Sequence, residues 1–469
     1  MPRYTYPAAV LLLAVVAAIA GSFTTGAQDQ PQRPTYFKAA DALAGPAIEV
    51  PTPRRKHEWL ENIDMDDAFK LAKKENRPVF ATVRCLPCQQ CSWIDNAIMK
   101  ATTELEAKLQ NFVCVRITTM RDMDARIFQF EKYQDLDCSW WGYFFDPEGR
   151  IYGVYGGIDI EGDKSCITIP GLMSAMDRVL KYHYQPKREE WNLFGDAPKL
   201  KGRADTPFKH DGWKNWAKED SQRADKILKD KNECLHCHEV AEVVRQPRFD
   251  KKKFDKTTDF YVWPYPQNIG VELDLDKGLT IKTISKDGPA EKAYIEAGDT
   301  IEAANGQLLF SPTDLRRVLN ELPYGNCKLD LLTRDKNGEA MLVTVELKGD
   351  WRQYDLGWRK SVAEANIGAH PGFPWPLKGD RGKAGVKADE MCIKPFFGKA
   401  PKGHAIDAGL KASDQIIAVN GDTRALEGRA FLAWFRMTYD PGDQITLKLV
   451  DDKGNQREIK YKVGQHIDD

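Results

Sequence analysis

Two stretches in the second half of the chain repeat one another, and this repeat constrains the architecture more than any other feature. The first runs Gly288-Pro289-Ala290-Glu291-Lys292-Ala293, then Ile295-Glu296-Ala297-Gly298-Asp299-Thr300-Ile301-Glu302-Ala303-Ala304-Asn305-Gly306. The second runs His404-Ala405-Ile406-Asp407-Ala408-Gly409-Leu410-Lys411-Ala412-Ser413-Asp414-Gln415-Ile416-Ile417-Ala418-Val419-Asn420-Gly421. Alternation around Asp-x-Ile predicts a strand, and Asn-Gly after it predicts a tight hairpin, because a two-residue turn needs positive φ at both centres. Each copy continues into a predicted helix, residues 311–322 and 428–437. Paired strands follow, 328–333 with 340–347 and 444–450 with 457–463.

With these motifs, both copies resemble PDZ domains of the bacterial, circularly permuted kind, over residues 268–348 and 385–465. The resemblance implies binding of a peptide terminus or internal segment as an added strand, with backbone amides of a glycine-containing loop holding a carboxylate. In the first copy that loop would be Lys277-Gly278-Leu279-Thr280, leading into Ile281, with the helix carrying Asp314, Leu315 and Val318 across the groove. In the second, Pro395 falls near the pairing edge and marks the copy as a candidate structural unit. A sealed pair packed for rigidity is the alternative to a binding pair. Between the copies, residues 349–384 open with Trp351-Arg352-Gln353-Tyr354-Asp355-Leu356-Gly357-Trp358-Arg359, unusually aromatic and charged for a linker, and are expected to pack against a neighbouring domain.

Mid-chain, Cys234-Leu235-His236-Cys237-His238 fits C-x-x-C-H, the attachment pattern of c-type haem. Resemblance to c-type cytochromes is confined to these residues. It implies one covalent haem c on Cys234 and Cys237, with His238 as axial ligand. No methionine lies between Met176 and Met341, so the sixth ligand could be His210, His236, His183 or one of the distant His370, His404, Met341 and Met391, or the site could be five-coordinate. His210 is favoured because a helix end before the motif could fold back over the iron, and arginines of the inter-copy segment could neutralise the propionates. A reduced or disulfide-bonded pair beside an unrelated histidine explains the same five residues. Around the motif, residues 186–267 read as a polar linker and a short helical segment.

The first part of the chain reads as helix (63–75), buried strand (77–83), cysteine pair, helix, strand (112–117), strand-turn-strand (142–154) and helix (169–182). A cysteine pair opening a helix gains thiolate stabilisation from the helix N-terminus. The succession resembles a secreted thioredoxin-like domain over residues 55–185. That resemblance implies Cys85 as attacking thiol and Cys88 as its resolving partner. Arg84 stands where an aromatic residue is usual, and Trp140 where the family has a cis-proline. Cys91 and Cys138 would lie nearby, so three or four sulfurs could bind a soft metal, or Cys91 could pair with Cys138 in a structural disulfide.

The 469 residues suggest about three domains, and 68 basic against 69 acidic side chains give no electrostatic reason to expect nucleic acid. The apolar run 8–20 after Arg3, with small residues up to Ala27, predicts a signal peptide (1–27) and a periplasmic location, followed by an extension (28–54). No later stretch approaches the length of a transmembrane span. There is no GxSxG, HExxH or P-loop, and nothing supplies a serine-histidine-aspartate unit. The expected fold is α/β plus mostly-β: a thioredoxin-like domain, a short helical haem-binding segment and two permuted PDZ-like domains. The whole resembles multidomain periplasmic proteins of Gram-negative-type bacteria. The expected function is haem-based electron transfer to a redox partner, with PDZ-mediated docking of a periplasmic protein. Thiol-disulfide exchange on periplasmic proteins, or a non-enzymatic scaffold with structural or metal-binding cysteines, are the alternatives.

Overall fold

Why residues 57–183 fold as they do is visible at each boundary. Asp64 caps the helix Met65–Glu75 by accepting from the Asp66 amide, and Asn76 ends it in the left-handed conformation. The next strand, Val79–Val83, is buried along its whole length, as a strand apolar but for Thr82 must be when both sheet faces are covered. It is β2 of a five-stranded sheet in which β1 (Trp59–Glu61), β3 (Val113–Ile117), β2, β4 (Ser139–Phe145) and β5 (Ile151–Ile158) lie side by side in that order. β1 and β2 run parallel to β3, and β4 and β5 return antiparallel. Phe80 and Phe144 stack across one face, and Tyr143 and Phe145 stack on the other.

This computed structural model describes residues 34–51, 57–61, 63–84, 89–121, 123–158, 167–230, 233–365, 368–373, 375–397 and 403–464. The expected signal peptide, Cys85, Cys88 and Cys166 lie outside the described residues. From Thr35 onward the chain forms one compact unit.

The two repeats are built alike. In the first, β6 (Val271–Leu273) pairs with β7 (Ile281–Ile284), and a second sheet carries β8 (Thr300–Ala304), β9 (Gln307–Leu308), β10 (Cys327–Arg334) and β11 (Ala340–Leu347) in the order β11-β10-β8-β9. In the second, β12 (Trp375–Lys378), β13 (Ile393–Phe396), β14 (Gln415–Val419), β15 (Gln444–Val450) and β16 (Gln456–Lys462) form one sheet in chain order. This repeat therefore begins ahead of the expected 385. At the two Asn-Gly turns the φ angles are 46° and 75° for Asn305-Gly306, and 47° and 83° for Asn420-Gly421. Each asparagine also accepts from the neighbouring strand, Asn305 from the Asp330 amide and Asn420 from the Thr446 amide.

The modules are locked together rather than strung out. The N-terminal side chains of the helix Pro312–Glu321 cap the outer edge of β5. The Val154 amide donates to Asp314 Oδ1 (2.9 Å), the Gly156 amide to Thr313 Oγ1 (3.1 Å), and Ser311 and Thr313 hydroxyls donate to the carbonyls of Val154 and Gly156. An edge strand that would otherwise offer unpaired backbone groups is thereby closed. The approach needs a glycine at 153, where a Cβ would sit 2.6 Å from Asp314 Oδ2.

Candidate functional site

The segment expected to hold haem folds against the end of β2 and the loop before β4. Cys234 is buried and disulfide-bonded, to a partner outside the described residues. A sulfur already in a disulfide cannot form the thioether that haem attachment requires, which overturns the assignment of Cys234. Cys237 keeps its thiol and opens the helix Cys237–Asp250; Gln134 Nε2 donates to its sulfur at 3.6 Å. Glu239 accepts from the His236 amide (2.7 Å) and is held by Arg223, which also donates to the Cys234 carbonyl (2.6 Å).

The rings of His236 and His238 lie nearly parallel with centroids 5.5 Å apart. Burial holds His238 well below the usual imidazole range, with Lys360 and His236 adding to the effect, and its Nδ1 has no hydrogen-bond partner among the described residues. The cavity beside it, lined by Cys91, Cys138, Trp140, Cys237 and Lys360 among others, holds about 70 Å³. Sites that enclose ligands of porphyrin size need several hundred Å³, roughly 300–1,000. The residues do not fit a haem, and the helical segment is a packing element. His210, the expected sixth ligand, instead pairs through Nε2 with Glu131 (3.4 Å) and accepts the Gly212 amide at Nδ1.

The remaining cysteine expectations are corrected with it. Cys91 and Cys138 are buried thiols and not a disulfide, and among the described residues no group of three or more His, Cys, Asp or Glu side chains is placed to hold a metal ion. Electron transfer by haem and a soft-metal site are set aside. Thiol-disulfide exchange on other proteins goes with them, since the curated relatives described below are endoproteases. The arginines expected on propionates serve another purpose. Arg359 donates to both oxygens of Asp135 (2.8 and 2.9 Å) and to Asp137 (2.8 Å), and Arg316 also donates to Asp135 (2.9 Å). Arg245 and the Ser361 hydroxyl close the cluster, which joins the loop before β4, both repeats' flanking segments and the Cys237 helix.

The peptide-binding geometry differs between the repeats. In the first, Leu279, Thr280 and Ile281 are bonded on both sides. The Asp274 amide donates to Thr280 on one side, while Ile301 donates to Leu279 and Ile281 to Asp299 on the other. A strand flanked twice accepts no third, so the loop at Lys277-Gly278 is not the entrance to a groove. Gly278 packs against Ser174, and the Leu275 carbonyl accepts from Thr168. The edge that the topology leaves open is that of β6, yet Val271 and Leu273 are buried, as are Leu315, Val318 and Leu319 on the helix. Asp314 of that helix is engaged with β5, and burial pushes its carboxyl up to about 6 against the opposing pull of Arg317 and three amides.

In the second repeat the end strand is β12. The Gly379 amide donates to the Cys392 carbonyl, and the register sets Leu377 opposite Lys394 and Trp375 opposite Phe396. Antiparallel alternation then turns the backbone groups of Pro376 and Lys378 away from β13. Leu377 is 39% and Phe396 54% exposed beside this edge. Toward the helix Gly428–Thr438 and its cap, the charged pairs among the described residues are loose: Lys378 with Glu427 (3.9 Å), Arg381 with Glu427 (4.0 Å), and Arg429 over the Trp375 ring (5.9 Å). Sequence reasoning missed this edge. The signal was the glycine before it, Gly372 (φ 75°), which stands where Gly270 (φ 82°) precedes β6.

A family profile described as thioredoxin-like matches residues 58–145. Among curated proteins, the chain is 29% identical over 189 residues to a "Probable periplasmic serine endoprotease DegP-like" of Brucella suis biovar 1 (strain 1330), covering 34% of this chain and 30% of that protein. It is 34% identical over 152 residues to "Periplasmic pH-dependent serine endoprotease DegQ" of Escherichia coli (strain K12), covering 32% and 30%. The chain resembles these endoproteases in part. It spans about 30% of the length of the curated relatives it matches. A solved structure titled "HtrA-type protease AlgW with decapeptide" shares 18% identity over 29% of this chain and 42% of that one, at a TM-score of 0.17. Among the described residues no helix is long and apolar enough to cross a membrane.

Proposed function

We propose that this chain is a periplasmic docking protein that takes an extended peptide segment as an added strand on β12 of its second PDZ-like unit. The observation that carries the reading is the contrast between the two edges. Both are end strands, but the apolar side chains of β6, Val271 and Leu273, are buried, whereas β12 has backbone groups turned outward with the exposed apolar side chains of Leu377 and Phe396 beside them. β-Strand addition needs both features, since main-chain bonds give affinity and side-chain contacts give selectivity. The exposed pairs across the mouth are each worth about 0–1 kcal/mol, so an entering strand displaces them cheaply. The periplasmic location follows the names of the DegP-like and DegQ relatives.

The proteolysis in those names is not part of the reading. The buried hydroxyls of Ser311 and Ser361 serve the Val154 carbonyl and Asp137, and His183 and His210 are held by Tyr152 and Glu131. None of these pairs a serine with a histidine, as a hydrolase nucleophile requires. The test is binding of labelled unfolded casein to the purified chain, followed by anisotropy and by gel. Binding with intact casein is expected, lost or weakened about fivefold in Lys378→Pro, which deletes the one outward amide of β12. Casein cleavage, or binding indifferent to that substitution, would overturn the proposal.

A further inference from the structure

A strand lying antiparallel on β12 has its C-terminal end beside the loop segment that leads into β12, of which residues 370–373 are described. To capture a terminal carboxylate, such a loop must aim successive backbone amides at it. Here the amides are taken. The His370 N–H donates to the Gly464 carbonyl (3.0 Å), and the Gly372 N–H donates to His370 Nδ1 (3.1 Å). Pro371 and Pro374 have none to give. Of the three N–H groups, at His370, Gly372 and Phe373, at most that of Phe373 is left, and Phe373 is itself fully buried. Around the edge, Lys378, Arg381 and Lys394 face one carboxylate, Glu427, which the first two already approach; Asp380 is met by Lys383.

Resting on the docking proposed above, we infer that β12 reads an internal segment rather than a chain terminus, and that the segment alternates apolar with acidic residues. The apolar residues lie along Leu377 and Phe396, and the acidic ones, on the opposite face, meet Lys378; Lys394, paired with Leu377, lies on the apolar face. His370 is the residue that sets this preference, because its ring nitrogen occupies the glycine amide a carboxylate would need.

The experiment uses the full chain and fluorescein-labelled decapeptides alternating valine and glutamate, made as free acid and as C-terminal amide, with a valine-lysine amide for comparison. Anisotropy at about 0.1 M salt, where charges within roughly 10 Å still act, is expected to give acid and amide affinities within about twofold. The lysine peptide is expected to bind at least about tenfold more weakly. His370→Ala, which returns the Gly372 amide, is expected to strengthen the free acid alone. Wild-type protein that binds the free acid more than about tenfold tighter than the amide, with Lys378→Pro still abolishing binding, overturns the inference and leaves docking standing. Equal affinity for the lysine peptide overturns the acidic preference. No binding of any peptide overturns docking and the inference with it.

Discussion

Arg359→Met isolates the polar contribution of the cluster that joins the modules. Arg359 is fully buried and donates five hydrogen bonds: to Tyr354 Oη (2.6 Å), to Asp135 Oδ1 and Oδ2 (2.8 and 2.9 Å), to Asp137 Oδ2 (2.8 Å) and to the Val262 carbonyl (2.8 Å). Methionine preserves most of the aliphatic stem, so what is lost is the guanidinium, with its hydrogen bonds and its place over the Trp358 ring (4.5 Å). Asp135 keeps Arg316 and Asp137 keeps Ser361, but Asp135 Oδ1 and the Val262 carbonyl lose a donor in a site closed to water. Breaking a buried pair in this way costs about 3–5 kcal/mol, a large share of the roughly 5–15 kcal/mol that holds most domains folded. Arg424→Met is the control. Its partner Asp422 is reached from an exposed side chain, so the loss should stay below about 1 kcal/mol.

Urea unfolding followed by tryptophan fluorescence and by far-UV circular dichroism checks this. The expected result is a lower midpoint in both signals together, because the cluster spans every module. A deficit under about 1 kcal/mol, or a shift confined to one signal, would refute the argument. The pH dependence gives a second reading. Burial pushes Asp137 up, but the Arg359 and Arg245 guanidiniums outweigh it and hold the carboxyl below its usual range. A group depressed in the folded state adds stability above its unfolded pKa, and that stability is lost as pH falls through the folded value. Without Arg359 there is less to lose, so the gap between wild type and variant should narrow as pH drops below about 4.

Three further outcomes are expected. Gly153→Ala places a methyl against Asp314 and Phe310, and should lower stability by about 1–3 kcal/mol in the same urea assay. His210, raised by its hydrogen bond to Glu131 although burial opposes, should titrate above 6.5 by NMR and return toward that value in Glu131→Gln; because the shift is upward, the pair's stabilisation is present below 6.5 and fades as pH rises through the folded value. Protein exported by a host competent in cytochrome maturation should show no Soret band, and the Cys234 peptide should be recovered by mass mapping only after reduction.

What could be read from the sequence divides by range. Asn305-Gly306 and Asn420-Gly421 are legible because positive φ at two successive residues is a local demand that few other pairs meet. The same holds for Asp64 ahead of its helix and for the run of β2, apolar but for Thr82. The haem assignment failed because five residues carry no record of a distant thiol; once Cys234 has a disulfide partner, the motif loses its chemistry. The groove was misplaced for a related reason. Lys277-Gly278 looks like a loop entering an edge, and only the pairing of residues 279–281 on both sides shows that the edge is one strand earlier. Asp135 and Asp137 look like ordinary loop residues, and their arginine partners are 181 to 224 positions away.

These long-range pairings also explain why two copies of one fold serve different ends. Both helices begin after an extended residue and present polar groups at their first turn. In the first repeat those groups are Ser311, Thr313 and Asp314, short enough to bond the outward N–H and C=O of Val154 and Gly156. In the second they are Glu427 and Arg429, long side chains that bond other side chains rather than a strand's backbone: Glu427 loosely with Lys378 and Arg381, and Arg429 closely with Glu364. Short polar side chains close an edge because they lose little rotamer freedom on bonding backbone, whereas long charged ones give up more and gain little in water. Exchanging Ser311 for Glu should therefore loosen the β5 junction while leaving β12 untouched, a difference that hydrogen exchange at Val154 and Gly156 would register as faster exchange there and unchanged exchange at Leu377.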